Sequence, residues 1–133
     1  MALSRVLIAD DSRIFRALMG EVLRELGLDV IEVANGREAL DQSLSARPQL
    51  LILDALMPLL SGFDVLSKLR EKAADYTPVI FIVTAVYKSR RWEAEARQTY
   101  MVHEYLEKPI EPQELVAAIR KHFPEVSTGP TGM

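Results

Sequence analysis

Four charged residues stand at the exits of apolar, strand-like segments of the chain: Asp10, Asp11, Asp54 and Lys108. In α/β folds the carboxyl ends of the parallel strands share one edge of the sheet, and ligands bind at that edge. We therefore expect these side chains to converge. Carboxylate oxygens suit Mg²⁺, and a lysine ammonium can bind a phosphoryl oxygen. The pattern indicates a magnesium-dependent site that accepts a phosphoryl group.

Length and composition are those of one domain without thiol chemistry. The chain has 133 residues, 49% of them hydrophobic, which is enough for a core. A net charge of −3 without a basic block argues against nucleic-acid binding. There is no cysteine, and His103 and His122 lie far apart in the sequence, so disulfides and thiolate or histidine-rich metal sites are not expected. Because no secretory signal or membrane-length apolar stretch is visible, we expect a cytoplasmic protein without membrane contact.

Strand-like and helix-like segments alternate five times along the chain. Short apolar runs rich in Val, Ile and Leu predict strands, and apolar residues three and four positions apart predict helices. Alternation of this kind favours a parallel sheet covered by helices on both faces. The predicted strands are 5–9, 29–34, 50–53, 79–83 and 102–106, and the predicted helices are 12–26, one that ends at 46, one from 62, 89–99 and 112–123.

The ordered set of motifs on these five units resembles the receiver domain of two-component response regulators. The motifs are Asp10-Asp11, Asp54, Met57-Pro58, Gly62, Thr84-Ala85 and Lys108-Pro109. The resemblance covers residues 5–123 and is closest to the free-standing, single-domain chemotaxis regulator. It implies a flavodoxin-like, doubly wound (βα)5 fold with strand order 2-1-3-4-5. Residues 1–124 would form the receiver, and 125–133 are predicted to be a disordered tail.

The resemblance assigns Asp54 as the phosphoacceptor, which would attack a phosphohistidine of a sensor histidine kinase or a small phosphodonor. Mg²⁺ (or Mn²⁺) would be bound directly by Asp11, by Asp54 and by the backbone carbonyl of Leu56, and through water by Asp10. Clustered carboxylates without a cation would repel each other and raise their pKa values. Taken alone, Asp11 could instead be a helix N-cap.

Three further residues are implied to transmit the phosphorylation. Lys108 would pair with a phosphoryl oxygen, and the family usually has a cis peptide bond before the following proline. The Thr84 hydroxyl would bind the phosphoryl group, and Tyr105 would turn inward to fill the space that Thr84 leaves. Taken singly, Lys108 could be a solvated loop residue and Thr84 an ordinary strand residue. The readout would be the face formed by the fourth helix, fifth strand and fifth helix.

The joint between the fourth helix and the fifth strand departs from the family pattern. A glycine with positive φ normally ends that helix, whereas this chain has Met101, which should resist the left-handed conformation. We therefore expect a longer, shifted or differently capped fourth helix. Trp92, Tyr100 and Tyr105 are the predicted partner face, although Trp92 could instead fold onto its own helix.

The residues that flank the path of water to the phosphoryl group are also unusual. In the family, polar groups at these two positions often tune hydrolysis, but here they are Leu56 and Val86. Apolar side chains cannot orient a water molecule. We therefore predict slow self-dephosphorylation.

The leading prediction is a signalling module that catalyses only its own phosphorylation and dephosphorylation, and is otherwise not an enzyme. Its partners would be a histidine kinase and a downstream protein effector, with dimer formation on phosphorylation left open. One alternative is the receiver part of a longer regulator, and another is a pseudo-receiver that binds partners without phosphorylation. An aspartyl phosphatase is less favoured, because such enzymes commonly carry Asp-x-Asp after the first strand.

Overall fold

The structure is a computed structural model that describes residues 2–86 and 89–126. Strands and helices alternate along these residues, as predicted, and each predicted end lies within two residues of the observed one. The strands are β1 (Arg5–Ala9), β2 (Asp29–Val33), β3 (Leu50–Asp54), β4 (Val79–Thr84) and β5 (Glu104–Glu107). The helices are α1 (Arg13–Glu25), α2 (Gly36–Ala46), α3 (Gly62–Lys72), α4 (Arg90–Thr99) and α5 (Pro112–His122).

The strands form one parallel sheet in the order β2-β1-β3-β4-β5. This order confirms the predicted doubly wound topology. All strand carboxyl ends therefore lie at the same edge of the sheet. The strand order reverses between β1 and β3, and such a reversal opens a crevice at that edge.

Side chains alternate between two apolar clusters, one on each face of the sheet. In β1, Val6 and Ile8 join the cluster under α1 and α5, whereas Leu7 and Ala9 join the cluster under α2, α3 and α4. This alternation is the period of two expected for a strand. Every residue of β3 is buried. The central strands are therefore packed on both faces, and their ends are fixed points for a site.

The start of α1 leaves the Asp11 side chain free of a capping role. Ser12 is the N-cap, and its Oγ accepts a hydrogen bond from the Phe15 N–H at 3.2 Å. The alternative reading of Asp11 as the helix cap is therefore wrong. Ser12 satisfies a backbone donor of the first turn, and Asp11 remains exposed at the sheet edge.

The expectation for Met101 was also wrong. Its φ is 59°, so a methionine adopts the left-handed conformation that a glycine usually takes. The helix is not lengthened: α4 ends at Thr99, and the N–H of Val102 bonds back to the carbonyl oxygen of Ala96 at 3.1 Å. Val102 is buried, while the Met101 side chain is exposed. Burial of Val102 and its backbone hydrogen bond therefore offset the cost of the unfavourable φ.

The described chain continues beyond α5. Val126 packs against the cluster under α1 and α5, and Glu125 Oε1 accepts the backbone N–H of Leu3 at 3.3 Å. Most of the predicted disordered tail, residues 127–133, lies outside the described residues. Within residues 2–86 and 89–126, no helix is long and apolar enough to cross a membrane.

Candidate functional site

Three carboxylates converge at the carboxyl edge of the sheet. Asp10 and Asp11 follow β1, and Asp54 ends the neighbouring strand β3. One carboxylate oxygen from each residue lies within 4.8 Å of the others. Asp10 is 1% and Asp54 8% exposed, whereas Asp11 faces solvent. The predicted cluster is therefore two buried carboxylates with an exposed one at the mouth.

The loop after β1 holds the Asp10 carboxylate by local hydrogen bonds. Asp10 Oδ1 accepts the N–H of Ser12 at 2.8 Å, and its own N–H donates to the carbonyl oxygen of Val33 at 3.1 Å. Arg16, on the first turns of α1, donates from Nη1 to the Asp10 carbonyl oxygen at 2.7 Å. The side chain of Asp10 is thus held by its own loop, and its backbone by β2 and α1.

Asp54 is held by the loop that leads into α3. Its Oδ1 accepts the N–H of Leu56 at 3.3 Å. Gly62, the first residue of α3, donates its N–H to the carbonyl oxygen of Ala55 at 3.0 Å. A Cβ at Gly62 would lie 2.5 Å from the Asp54 carbonyl oxygen. Glycine is therefore needed for the close approach of α3 to the end of β3.

Lys108 brings a positive charge into the acidic cluster. Its Nζ lies 2.6 Å from Asp10 Oδ2 and 3.4 Å from Asp54 Oδ2, and its side chain is 18% exposed. The same Nζ lies 4.4 Å from the centroid of the Phe15 ring. The peptide bond from Lys108 to Pro109 is cis, as the resemblance implies. The alternative of a solvated loop lysine does not fit this geometry.

The electrostatics of the cluster favour an added cation. Burial, and then the charge of Asp10, raise the pKa of Asp54 from its ordinary value of 3.8 to about 6, although Lys108 acts in the opposite direction. Burial alone would lower the pKa of Lys108, but its hydrogen bond with Asp10 and the charges of both aspartates raise it. One lysine therefore does not fully compensate these carboxylates. Hard oxygen donors in this number fit Mg²⁺ or Mn²⁺.

The two predicted switch residues are both buried. Thr84 ends β4, and its Oγ1 accepts the N–H of Val86 at 3.1 Å. Tyr105 lies on β5 beside Ile82 and belongs to the apolar cluster under α2, α3 and α4. The tyrosine therefore already lies inward in this structure.

The predicted partner residues do not form one exposed surface. Trp92 is exposed near the start of α4. Tyr100 is half-buried, and its ring centroid lies 4.9 Å from that of Phe63. With Tyr105 also buried, Trp92 is the one exposed member of the three.

Sequence reasoning missed several residues of the site and its surroundings. The Phe15 ring contacts Lys108, and the Arg16 side chain donates to the backbone of Asp10. Their only sequence signal is their place one helical turn after the acid pair. The two histidines, far apart in sequence, stack edge to face with centroids 5.7 Å apart. In the described part of the chain, however, Asp10, Asp11 and Asp54 are the one group of three potential metal ligands.

Comparisons with known proteins agree with this geometry. Residues 6–120 match the model of the response regulator receiver domain. Protein PilG of Pseudomonas aeruginosa is 29% identical over 121 residues, which cover 90% of this chain and 87% of PilG.

Two solved structures have the same fold. The receiver domain of a putative LuxO repressor from Vibrio parahaemolyticus has a TM-score of 0.83 and 30% identity, and the match covers 92% of this chain and 91% of that chain. Chemotaxis protein CheY4 of Vibrio cholerae has a TM-score of 0.81 and 28% identity, and the match covers 90% and 98% of the two chains. This chain spans about half the length of several other curated relatives, among them transcriptional regulatory proteins.

Proposed function

Because this chain belongs to the family of two-component response regulator receiver domains, we propose that it is a phosphoacceptor signalling module whose acceptor is Asp54. The observation that carries the proposal is the convergence of the Asp10, Asp11 and Asp54 carboxylates with the Lys108 ammonium at one sheet edge. Asp54 is the carboxylate that ends the central strand β3 and is within reach of the lysine.

In the proposed reaction, a carboxylate oxygen of Asp54 attacks the phosphorus of a phosphohistidine on a sensor kinase, or of a small phosphodonor. An oxygen–phosphorus bond forms, and the bond from phosphorus to the imidazole nitrogen, or to the acetate oxygen of a donor such as acetyl phosphate, breaks. The departing imidazole or acetate keeps the electron pair, and the imidazole takes up a proton. The Lys108 ammonium pairs with a phosphoryl oxygen, and the Thr84 hydroxyl donates to another.

Asp11, Asp54 and the backbone carbonyl of Leu56 would hold Mg²⁺ or Mn²⁺, with Asp10 acting through water. When bound, the cation supplies charge neutralisation for the phosphoryl oxygens. The protein's own contribution is position, because two of the three carboxylates are buried and held by backbone hydrogen bonds. On this proposal the chain turns over no other substrate.

The proposed output is a population shift of the face formed by α4, β5 and α5, which would bind a downstream protein. Phosphorylation can shift this equilibrium only through contacts that differ between the two states. The contacts in question are those of Thr84 and Lys108. The N–H of Lys108 donates to the carbonyl oxygen of Thr84 at 2.8 Å, which joins β4 to the end of β5.

The test is incubation with acetyl phosphate and Mg²⁺, followed by intact mass measurement. We expect one phosphoryl adduct, absent in EDTA and in Asp54→Asn. Asp41→Asn, at an exposed position on α2, is the matched control and should be modified like wild type. Failure to form the adduct under conditions that modify a known receiver would refute the proposal. Such a result would favour a pseudo-receiver that binds partners without phosphorylation.

A further inference from the structure

We propose that Phe15 is a positioning residue for Lys108: its ring holds the ammonium beside Asp10 and Asp54 and so sets the rate at which Asp54 is phosphorylated. The inference rests on the proposed function and adds a residue to that site. The observation that carries it is that Lys108 Nζ lies over the Phe15 ring and also contacts carboxylate oxygens of Asp10 and Asp54.

Lys108 Nζ has contacts of two kinds. Carboxylate oxygens of Asp10 and Asp54 lie 2.6 and 3.4 Å from it. The centroid of the Phe15 ring lies 4.4 Å from it. The face of an aromatic ring carries negative electrostatic potential and attracts an ammonium within about 6 Å of its centroid. Because the lysine is mostly out of water, solvent screens this attraction only in part.

The same turn of chain places the ring and one of the carboxylates. Ser12 donates its N–H to Asp10 Oδ1, and its Oγ accepts the N–H of Phe15. The N-terminal cap of α1 therefore fixes the backbone of Phe15 relative to the acidic cluster. The ring also packs against the apolar cluster under α1 and α5, which leaves it half-buried.

A lysine needs such a support because its four-carbon stem is flexible and its charge has no directional preference. The carboxylates alone would let the ammonium follow Asp10, the closer partner. A ring face attracts a cation over its whole area, so Lys108 can move from a carboxylate toward a phosphoryl oxygen without leaving the ring. The ring therefore restricts where the ammonium can move and still leaves it able to bind a phosphoryl oxygen.

The test keeps the shape of the ring and removes its potential. Phe15 is replaced with mono-, di- and trifluorophenylalanine, since fluorine withdraws charge from the ring face with little change in volume. The matched control is the same series at Phe123, a buried ring of the same apolar cluster. Two quantities are measured: the mobility of the Lys108 side chain by NMR relaxation without phosphodonor, and the rate of Asp54 phosphorylation by acetyl phosphate.

We expect Lys108 mobility to rise stepwise with fluorination of Phe15, and the phosphorylation rate to fall about threefold to tenfold. The Phe123 series should change neither. Phe15→Leu should behave like the trifluoro variant, and Phe15→Tyr, which keeps an aromatic face, should restore the rate.

The proposal is overturned if Lys108 mobility is constant across the Phe15 series. It is overturned equally if the lysine becomes mobile while the rate stays constant. If wild-type protein is not phosphorylated at all, the proposed function fails. In that case the NMR series still decides by itself whether Phe15 restrains Lys108.

Discussion

Replacing Asp54 by asparagine should make the metal-free protein more stable while it abolishes phosphorylation. Burial and Asp10 raise the pKa of Asp54 from 3.8 to about 6. Each pKa unit corresponds to about 1.4 kcal/mol, so ionised Asp54 costs the folded state about 3 kcal/mol near neutral pH. Asparagine removes the charge, but its amide facing the Lys108 ammonium recovers only part of the cost of about 3 kcal/mol. We therefore expect the free energy of unfolding to rise by about 1–2 kcal/mol.

The stability difference between Asp54→Asn and wild type should depend on pH. The folded-state pKa of Asp54 lies above the ordinary value. Below about pH 4, Asp54 therefore does not lower the free energy of unfolding. The full cost of its ionised carboxylate develops as the pH rises through about 6. The stability difference between Asp54→Asn and wild type should accordingly be small at low pH and open across this window.

The measurement is urea unfolding in EDTA at about pH 4 and pH 7.5. Asp41→Asn is the control, and as an exposed substitution it should stay within about 0.5 kcal/mol of wild type at both pH values. Added Mg²⁺ should narrow the gap, because a ligand that binds only the folded state stabilises it. The reasoning is refuted if Asp54→Asn is less stable than wild type at pH 7.5 in EDTA, or if the gap does not change with pH.

Three further predictions concern the support of the site, the start of β5 and the lifetime of the phosphoryl group. Gly62→Ala should lower the free energy of unfolding by about 1–3 kcal/mol, because the new Cβ would lie 2.5 Å from a backbone oxygen at the end of β3. Gly20→Ala should lower the free energy of unfolding by a smaller amount in the same denaturation series, since its Cβ would meet the ends of flexible side chains. Burial and a neighbouring histidine lower the pKa of His103, whose Nδ1 accepts a backbone N–H at 3.0 Å. Wild type should therefore lose stability as the pH falls through about 6.5, and His103→Gln should remove that loss in unfolding measured at pH 7.5 and 5. Leu56 and Val86 follow β3 and β4 at the edge of the sheet that carries the acidic cluster, and they are 50% and 59% exposed. We predict slow self-dephosphorylation, which Leu56→Asn or Val86→Glu should accelerate when acyl phosphate is followed over time.

Each of these has an outcome that would count against it. Equal stability of the two glycine variants would mean that α3 can move away from β3 at little cost. A stability difference between wild type and His103→Gln that is the same at both pH values would show that protonation of this ring does not matter. A phosphoryl lifetime of seconds in the wild-type protein would contradict the argument from the two apolar side chains.

The acidic cluster could be predicted because its signal is local in sequence. A charged residue at the end of a buried strand is unusual, and parallel strands bring such ends together whatever the loops do. The ring under Lys108 could not be predicted in this way. Phe15 reads as one more apolar residue of an amphipathic helix, and its contact with the lysine joins residues from opposite ends of the chain. The contact between the two histidine rings was missed for the same reason, since separation in sequence says little about distance in a folded sheet.

Met101 shows a different limit. Intrinsic conformational preference argued against positive φ at a methionine, and that preference is worth about 1–2 kcal/mol for one residue. A buried Val102 side chain and its backbone hydrogen bond to Ala96 offset a cost of this size. Local preference is thus a poor guide wherever one well-packed neighbour can outweigh it.

On the proposed function, β5 is the strand through which phosphorylation of Asp54 would affect α4. β3 is buried along its whole length and pairs on both sides, so a change at Asp54 cannot easily move that strand. Among the strands that the structure describes, β5 is an edge strand that pairs only with β4. It carries Tyr105 into the cluster that also contains Ala96 of α4. On the proposed function, Lys108, which follows β5, would exchange a carboxylate partner for a phosphoryl oxygen once Asp54 is phosphorylated. On the proposed function, a shift of β5 would disturb the backbone pairing with one neighbouring strand, and it would reach α4 through the cluster that Tyr105 shares with Ala96.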